Sequence, residues 1–172
     1  LTAIVDAEIV LTAIFPDAFD QVAKDLADGI NLRAVKGKGA PFAILLGGNF
    51  VGHYDYFYPR ILCELSPLGK EYYEQYVSLL AINANRKVVF NENNPEDLFA
   101  LTGDDKNVLM VDNDLKDSIN PVPSFFKLTD HLDAFMAEKI WSANLEHCSF
   151  GFVGSFEGYH VINQAVVDTK VR

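Results

Sequence analysis

At 172 residues, with a formal net charge of −10 and a pI of about 4.7, the chain has the size of one ordinary domain and an acidic surface. Hydrophobic residues make up 49% and charged residues 22%, which excludes a disordered polyelectrolyte. The acidity disfavours nucleic-acid phosphate and anionic lipid headgroups as partners, because binding either needs a local basic patch.

Taken in chain order, the first fifteen residues carry Asp6 and Glu8 and no basic n-region, so they do not read as a signal peptide. Their apolar run is too short to span a membrane. Ile4, Ala7, Leu11 and Ile14 fit a helical stripe, with a β reading also open. After Pro16, Phe19, Val22, Ala23 and Leu26 predict a helix, with Asp17 and Asp20 at its start and Gly29 as its stop. Arg33, Lys36 and Lys38 form the one basic candidate patch, in "NLRAVKGKGAP". With two glycines and no aromatic among them they read as a solvated connector, and no nucleic-acid partner is expected.

"PFAILL" predicts a buried strand stopped by Gly47-Gly48, and Phe50 to Tyr58 a second strand. Alternation would place His53, Asp55 and Phe57 on one face and Tyr54, Tyr56 and Tyr58 on the other. Ser66 as N-cap and Pro67 at the first turn open a helix expected over 67–84. "KVVFN" reads as a short strand. "NNPEDLFALTGD" reads as a short helix capped by Asn94, with Pro95, Glu96 and Asp97 in its first turn and Gly103 at its end. "NVLMVD" is a buried strand, and Pro121 and Pro123 make the following segment a loop. A further helix is expected over 129–146, with Leu132, Phe135, Met136, Ile140 and Ala143 as its stripe. Two strands, 147–154 and 159–168, are expected to close the chain as a hairpin joined by "SFEG".

These elements predict a single globular domain over 1–172. Its class is α+β: a mixed or antiparallel sheet packed with three to four helices and ending in a C-terminal β-hairpin. The strand–helix alternation between 67 and 145 keeps a three-layer α/β arrangement as the alternative. Cys63 and Cys148 share no redox or zinc spacing and sit among apolar residues, so they are expected to be buried thiols in a reducing compartment.

The candidate chemistry is sparse. "GGN" after a strand lacks the GxGxxG and Walker patterns and reads as a turn between two strands. His53 and Asp55 on one strand face would make a base–orienter pair or two metal ligands. Asp112 and Asp114 close a buried strand, a place where active sites gather in open α/β sheets, or where Asp simply turns the backbone. His147 and His160 flank the expected hairpin as metal candidates, without the short paired spacing of a structural site. There is no GxSxG elbow. The aromatic content weighs most. Tyr54, Tyr56 and Tyr58 crowd one segment, and Phe125 and Phe126 sit in a proline-bounded loop. Such rings are enriched at protein–protein contacts.

The functional expectation is therefore a non-catalytic interaction module. It would be a subunit of a homo-oligomer or of a larger assembly such as a virion or secretion machine, with protein partners, no cofactor and no membrane. It would be soluble and cytoplasmic, or part of a particle assembled there. The alternatives are a hydrolase or metal-dependent enzyme using His53 and Asp55, and a small-ligand binder with an aromatic pocket.

Overall fold

Three strands in sequence order lie side by side and parallel: β1 (Ile9–Ala13), β2 (Phe42–Gly47) and β3 (Val77–Ala84). A computed structural model describes residues 1–84, 88–91, 93–94, 96–97, 99–103 and 108–171. The residues fall into two compact units, 1–48 with 52–132, and 49–51 with 133 onward.

The first unit is built on that sheet. Parallel neighbours need crossovers, supplied by α2 (Phe19–Val35) between β1 and β2, and by α3 (His53–Glu64) and α4 (Pro67–Tyr76) between β2 and β3. Two crossovers of one hand along an unreversed strand order put their helices on one face, and α2 packs against both α3 and α4. β2 is buried at every position, the continuous apolar signature of a central parallel strand. Phe42 and the residues in phase with it face the helices. Ala43 and Leu45 face the other way, into a core with Ile82, Val111, Leu115 and Phe126.

The sheet then reverses. β6 (Leu109–Asp112) pairs antiparallel with β3, and β7 (Phe126–Thr129) pairs parallel with β6, giving the order β1-β2-β3-β6-β7. The short helix α5 (Leu115–Ser118) covers the second face. The sheet is thus mixed and mostly parallel, an α+β arrangement with α/β character in its first half. β4 (Val88–Phe90) and β5 (Leu101–Gly103) form a separate antiparallel ladder.

Several sequence expectations are corrected. The N-terminal helix is only α1 (Thr2–Asp6), and 9–13 is a strand because it completes the ladder on β2. α2 runs past Gly29 to Val35. A Cβ at Gly29 would stand 2.5 Å from Ile4 Cγ2, so this glycine is a packing notch rather than a stop. The true stop is Gly37, at φ 64. Its N–H donates to Ala34 O and the Lys38 N–H to Arg33 O, both at 3.1 Å, the two bonds of a Schellman cap.

Phe50–Tyr58 is not a strand. α3 begins at His53, and His53, Phe57 and Ile61 at spacing four form its buried stripe. The "GGN" turn therefore joins a strand to a helix, not two strands. The helix expected over 67–84 ends at Tyr76, because Val77–Ala84 pairs in register with β2. Ser66 caps α4 as expected, its Oγ accepting from Gly69 N at 3.0 Å. Of the helix expected around 94–103, Leu101–Gly103 is strand β5, and the assignment of Pro95 lies outside the described residues.

In the second unit the C-terminal β-hairpin is absent. Helix runs from α6 (Leu132–Glu138) through a π-wound segment, Lys139–Asn144, into α7 (Leu145–Phe156), with α8 (Ile162–Ala165) following. Gly154 decides the packing: a Cβ there would lie 2.5 Å from the Ala165 Cβ, so α7 and α8 meet at a glycine–alanine contact.

Candidate functional site

The carboxyl ends of β1, β2 and β3 come together through the pairings Ala13 with Gly47 and Gly47 with Ile82. In open sheets this edge is where ligands collect. The buried Thr12 hydroxyl donates to Leu45 O at 3.4 Å and accepts from Gly47 N at 3.3 Å, tying β1 to β2 at the edge. Gly52, at φ 84, turns the chain into α3. His53 follows, 2% exposed. A Cβ on Gly48 would stand 3.2 Å from His53 Nε2, so glycine lets the imidazole fold against the strand end.

Asn83 lies one residue beyond Ile82. Extending the register sets it beside Gly48, and alternation turns it to the helix-bearing face. It is 2% exposed, and its Oδ1 has no hydrogen-bond partner among the described residues.

The structure redistributes the sequence candidates. On a helix, His53 and Asp55 are about 200° apart, so the imidazole is buried and the carboxylate is exposed. Asp112 ends β6, which runs antiparallel to β3, so it is at the end of β6 farther from the carboxyl edge of β1–β3. Asp112 Oδ1 accepts from Asp114 N at 3.0 Å and turns the backbone.

Helical spacing also splits the tyrosines. Tyr54 and Tyr58 stack with ring centroids 4.9 Å apart, and Tyr58 lies 5.9 Å from the buried Tyr73. Burial, with Tyr54 and Tyr58 beside it, pushes the Tyr73 hydroxyl well above its ordinary pKa. Tyr56 sits elsewhere: its ring edges Phe19 at 5.2 Å, its hydroxyl donates to Asp20 at 2.9 Å, and the Arg60 guanidinium covers it at 3.6 Å. The Tyr56 hydroxyl and then Arg60, whose Nε donates to Asp20 at 2.9 Å, hold the Asp20 carboxyl below the usual range. Beside this trio, Pro59, Arg60, Cys63 and Glu64 of α3 face Asp20 and Lys24 across an open groove of about 380 Å³.

Phe125 and Phe126 part company. Phe125 is half exposed, while Phe126 opens β7 and enters the core. Both cysteines are exposed, not buried, because each lies on the outer side of a helix. His147 on α7 and His160 before α8 are also exposed. Among the described residues no three His, Cys, Asp or Glu converge as metal ligands.

The second unit presents the largest feature that sequence reasoning missed. Trp141, Leu145, Phe152 and Phe156 recur at spacings of four, seven and four along one helical face. They are 67, 53, 79 and 89% exposed. Cys148 and Ser149, both exposed, occupy the gap between Leu145 and Phe152. The buried Gly154 marks the opposite side, toward α8. Burial holds the Lys139 ammonium, in the π-wound turn, below its ordinary pKa. The spacing was visible in the sequence as a helical stripe, and the expectation of a hairpin hid it.

A comparison with known protein families finds no match for the chain. Among the described residues no helix is long and apolar enough to cross a membrane.

Proposed function

We propose that this chain is a non-catalytic association module, a subunit of an oligomer or of a larger protein assembly. The observation that carries it is the face of Trp141, Leu145, Phe152 and Phe156. A contiguous aromatic face on a water-exposed helix raises interfacial free energy until a partner covers it, which is why such patches mark contacts. The stacked pair Tyr54 and Tyr58, with Tyr54 46% exposed, adds a smaller aromatic surface on the sheet unit.

The test combines sedimentation velocity over a roughly hundredfold dilution, where mass action exposes reversible association, with binding of a dye that reports apolar surface. The wild-type chain is expected either to sediment as a concentration-dependent assembly or to bind dye strongly. Phe152→Asp combined with Phe156→Asp should abolish both. A wild-type chain that stays monomeric and binds no dye would refute the reading.

A second reading, a small-ligand or catalytic site at the carboxyl ends of the parallel strands around His53, is favoured by Asn83. A buried amide oxygen without a partner costs about 1–3 kcal/mol, and such costs persist where function uses the group. Asn83→Leu is then expected to raise the melting temperature while erasing any ligand-induced shift found for the wild type in a metabolite and metal screen. A lower melting temperature, with no wild-type shift in the screen, removes this reading.

A further inference from the structure

We infer that the occupant of the 141–156 face is a second copy of this chain, docked antiparallel about a two-fold axis passing beside Cys148 and Ser149. The inference rests on the association reading and names its partner.

The stripe is arranged symmetrically about its small residues. Leu145 and Phe152 each lie three residues from the nearer member of the Cys148–Ser149 pair, and Trp141 and Phe156 each lie seven. The stripe is therefore near-palindromic in size as well as position: aromatic, apolar, small, apolar, aromatic. An isologous contact must be complementary to itself. Reversing one copy about the centre sets Leu145 against Phe152 and Trp141 against Phe156 of the other, twice over. The small residues fall where the two helix axes cross, so the backbones can approach closely there. A parallel pairing would instead set Leu145 on Leu145 and Phe152 on Phe152, so the layers on the two sides of the crossing would differ in bulk.

The exposed area of the stripe also suits a second copy. Aromatic side chains bury roughly 150–250 Å² each. At the exposures recorded for Trp141, Phe152, Phe156 and Leu145, the stripe offers roughly 500–600 Å² per copy before its polar margins are counted. A stable contact of standard size buries about 800 Å² per partner. The stripe thus supplies most of a dimer interface and too little for a larger obligate one. The stripe residues carry no formal charge, so closing two copies buries no like-charged pair in the seam.

The experiment uses the whole chain with Cys63→Ser, leaving Cys148 as its thiol. Light-scattering mass is measured over the same dilution series, with and without a short bis-maleimide that joins two thiols within about one helix diameter. The expected result is a mass of twice 19.1 kDa that falls toward 19.1 kDa on dilution, and rapid Cys148–Cys148 cross-linking at dimer concentrations. Phe152→Asp should lower the dimer fraction at least tenfold with an unchanged circular-dichroism spectrum. Phe156→Asp, at the last residue of α7, does the same with less risk to the helix.

Three results overturn the inference, and they differ in what they leave standing. A dimer that neither cross-links at Cys148 nor responds to either aspartate keeps the association reading and moves the interface elsewhere. A monomer with fast Cys148 alkylation and strong dye binding keeps the docking face and makes its partner a different protein. A monomer with Cys148 protected from alkylation, and no dye binding, shows the face covered within the chain, and both readings fall together.

Discussion

Arg33 is the clearest place to test the physical account of the sheet unit. It is 3% exposed, and its guanidinium lies over the Phe42 ring at 4.2 Å. Nη1 donates to Ile4 O at 3.0 Å, Val5 O at 2.7 Å and Ala7 O at 2.8 Å, and Nε donates to Tyr72 Oη at 2.9 Å. Two of those carbonyls belong to the end of α1, where helical C=O groups have no partner within the helix. The side chain therefore joins α1, α2, α4 and the strand floor through one planar group.

The magnitude follows from the geometry. Nη1 has two protons for three carbonyls, so the fork is worth about two charged hydrogen bonds rather than three, plus the one to Tyr72. At roughly 1.5–3 kcal/mol each, three such bonds set an upper range of about 4.5–9 kcal/mol. Methionine keeps the packing of the apolar stem and needs no charge buried, so the expected loss for Arg33→Met is smaller, about 3 kcal/mol. With a urea slope near 2 kcal/mol/M, the midpoint should fall by about 1.5 M. Arg33→Lys should lose at least half as much, because an ammonium keeps the charge but not the planar fork. Equilibrium urea unfolding followed by circular dichroism reads both. A Met variant as stable as the wild type would refute the reasoning, since desolvation would then outweigh the carbonyl contacts.

Three further outcomes are expected. Tyr56→Phe removes the first of the two donors to Asp20, so the Asp20 titration should move up toward 3.8, read by carboxyl carbon-13 shifts. Because the folded value is depressed, whatever stability this contact gives is present above pH 3.8 and lost as pH falls through the folded pKa. An unmoved titration would show that Arg60 alone sets it. Gly47→Ala would bring a Cβ to 2.6 Å from the Thr12 carbonyl oxygen, backbone on both sides. It should cost about 3 kcal/mol in the same urea assay, the upper end for overpacking, and a cost below about 1 kcal/mol would show that the strands can part. Gly154→Ala should loosen α7 from α8 by about 1–2 kcal/mol after its better helix propensity is counted. Ala165→Gly should restore hydrogen-exchange protection over 150–165, and a double variant no better than the single one would place the clash elsewhere.

The fold was legible where local chemistry and tertiary context agree. Ser66-Pro67 announced α4, the unbroken run 42–46 announced β2, and Leu109–Asp112 needed no more than its apolar content. Misreadings came where one pattern admits two periods. "YVSLLAINA" carries apolar residues at both helical and strand spacings, and only the neighbouring β2 selects the strand. The aromatics of 50–58 have high β-propensity, yet the decisive stripe is His53, Phe57, Ile61 and Leu65, which becomes visible only when the window runs past Pro59. Gly29 and Gly154 read as helix stop and strand residue because a glycine chosen for close approach looks, in sequence, like one chosen for its dihedral freedom.

The candidate sites were harder to read for a related reason. A side chain's chemistry is written in sequence, but its exposure is set by what the rest of the chain leaves uncovered. Arg33 belongs to a stretch that resembles a solvated connector, yet it is buried. Three of its hydrogen-bond partners are backbone carbonyls, which leave no mark in the sequence of side chains. Phe125 and Phe126 are adjacent and chemically identical, yet β7 turns one ring outward and the other into the core. The stripe on α7 is the converse case. Its spacing was present in the sequence, and what the structure adds is that the opposite face already has a partner in α8. Once Gly154 commits one side of α7 to Ala165, Phe152 and Phe156 have no place in that contact. Two aromatic rings at the end of a helix, directed away from α8, are what a surface built for a partner would require.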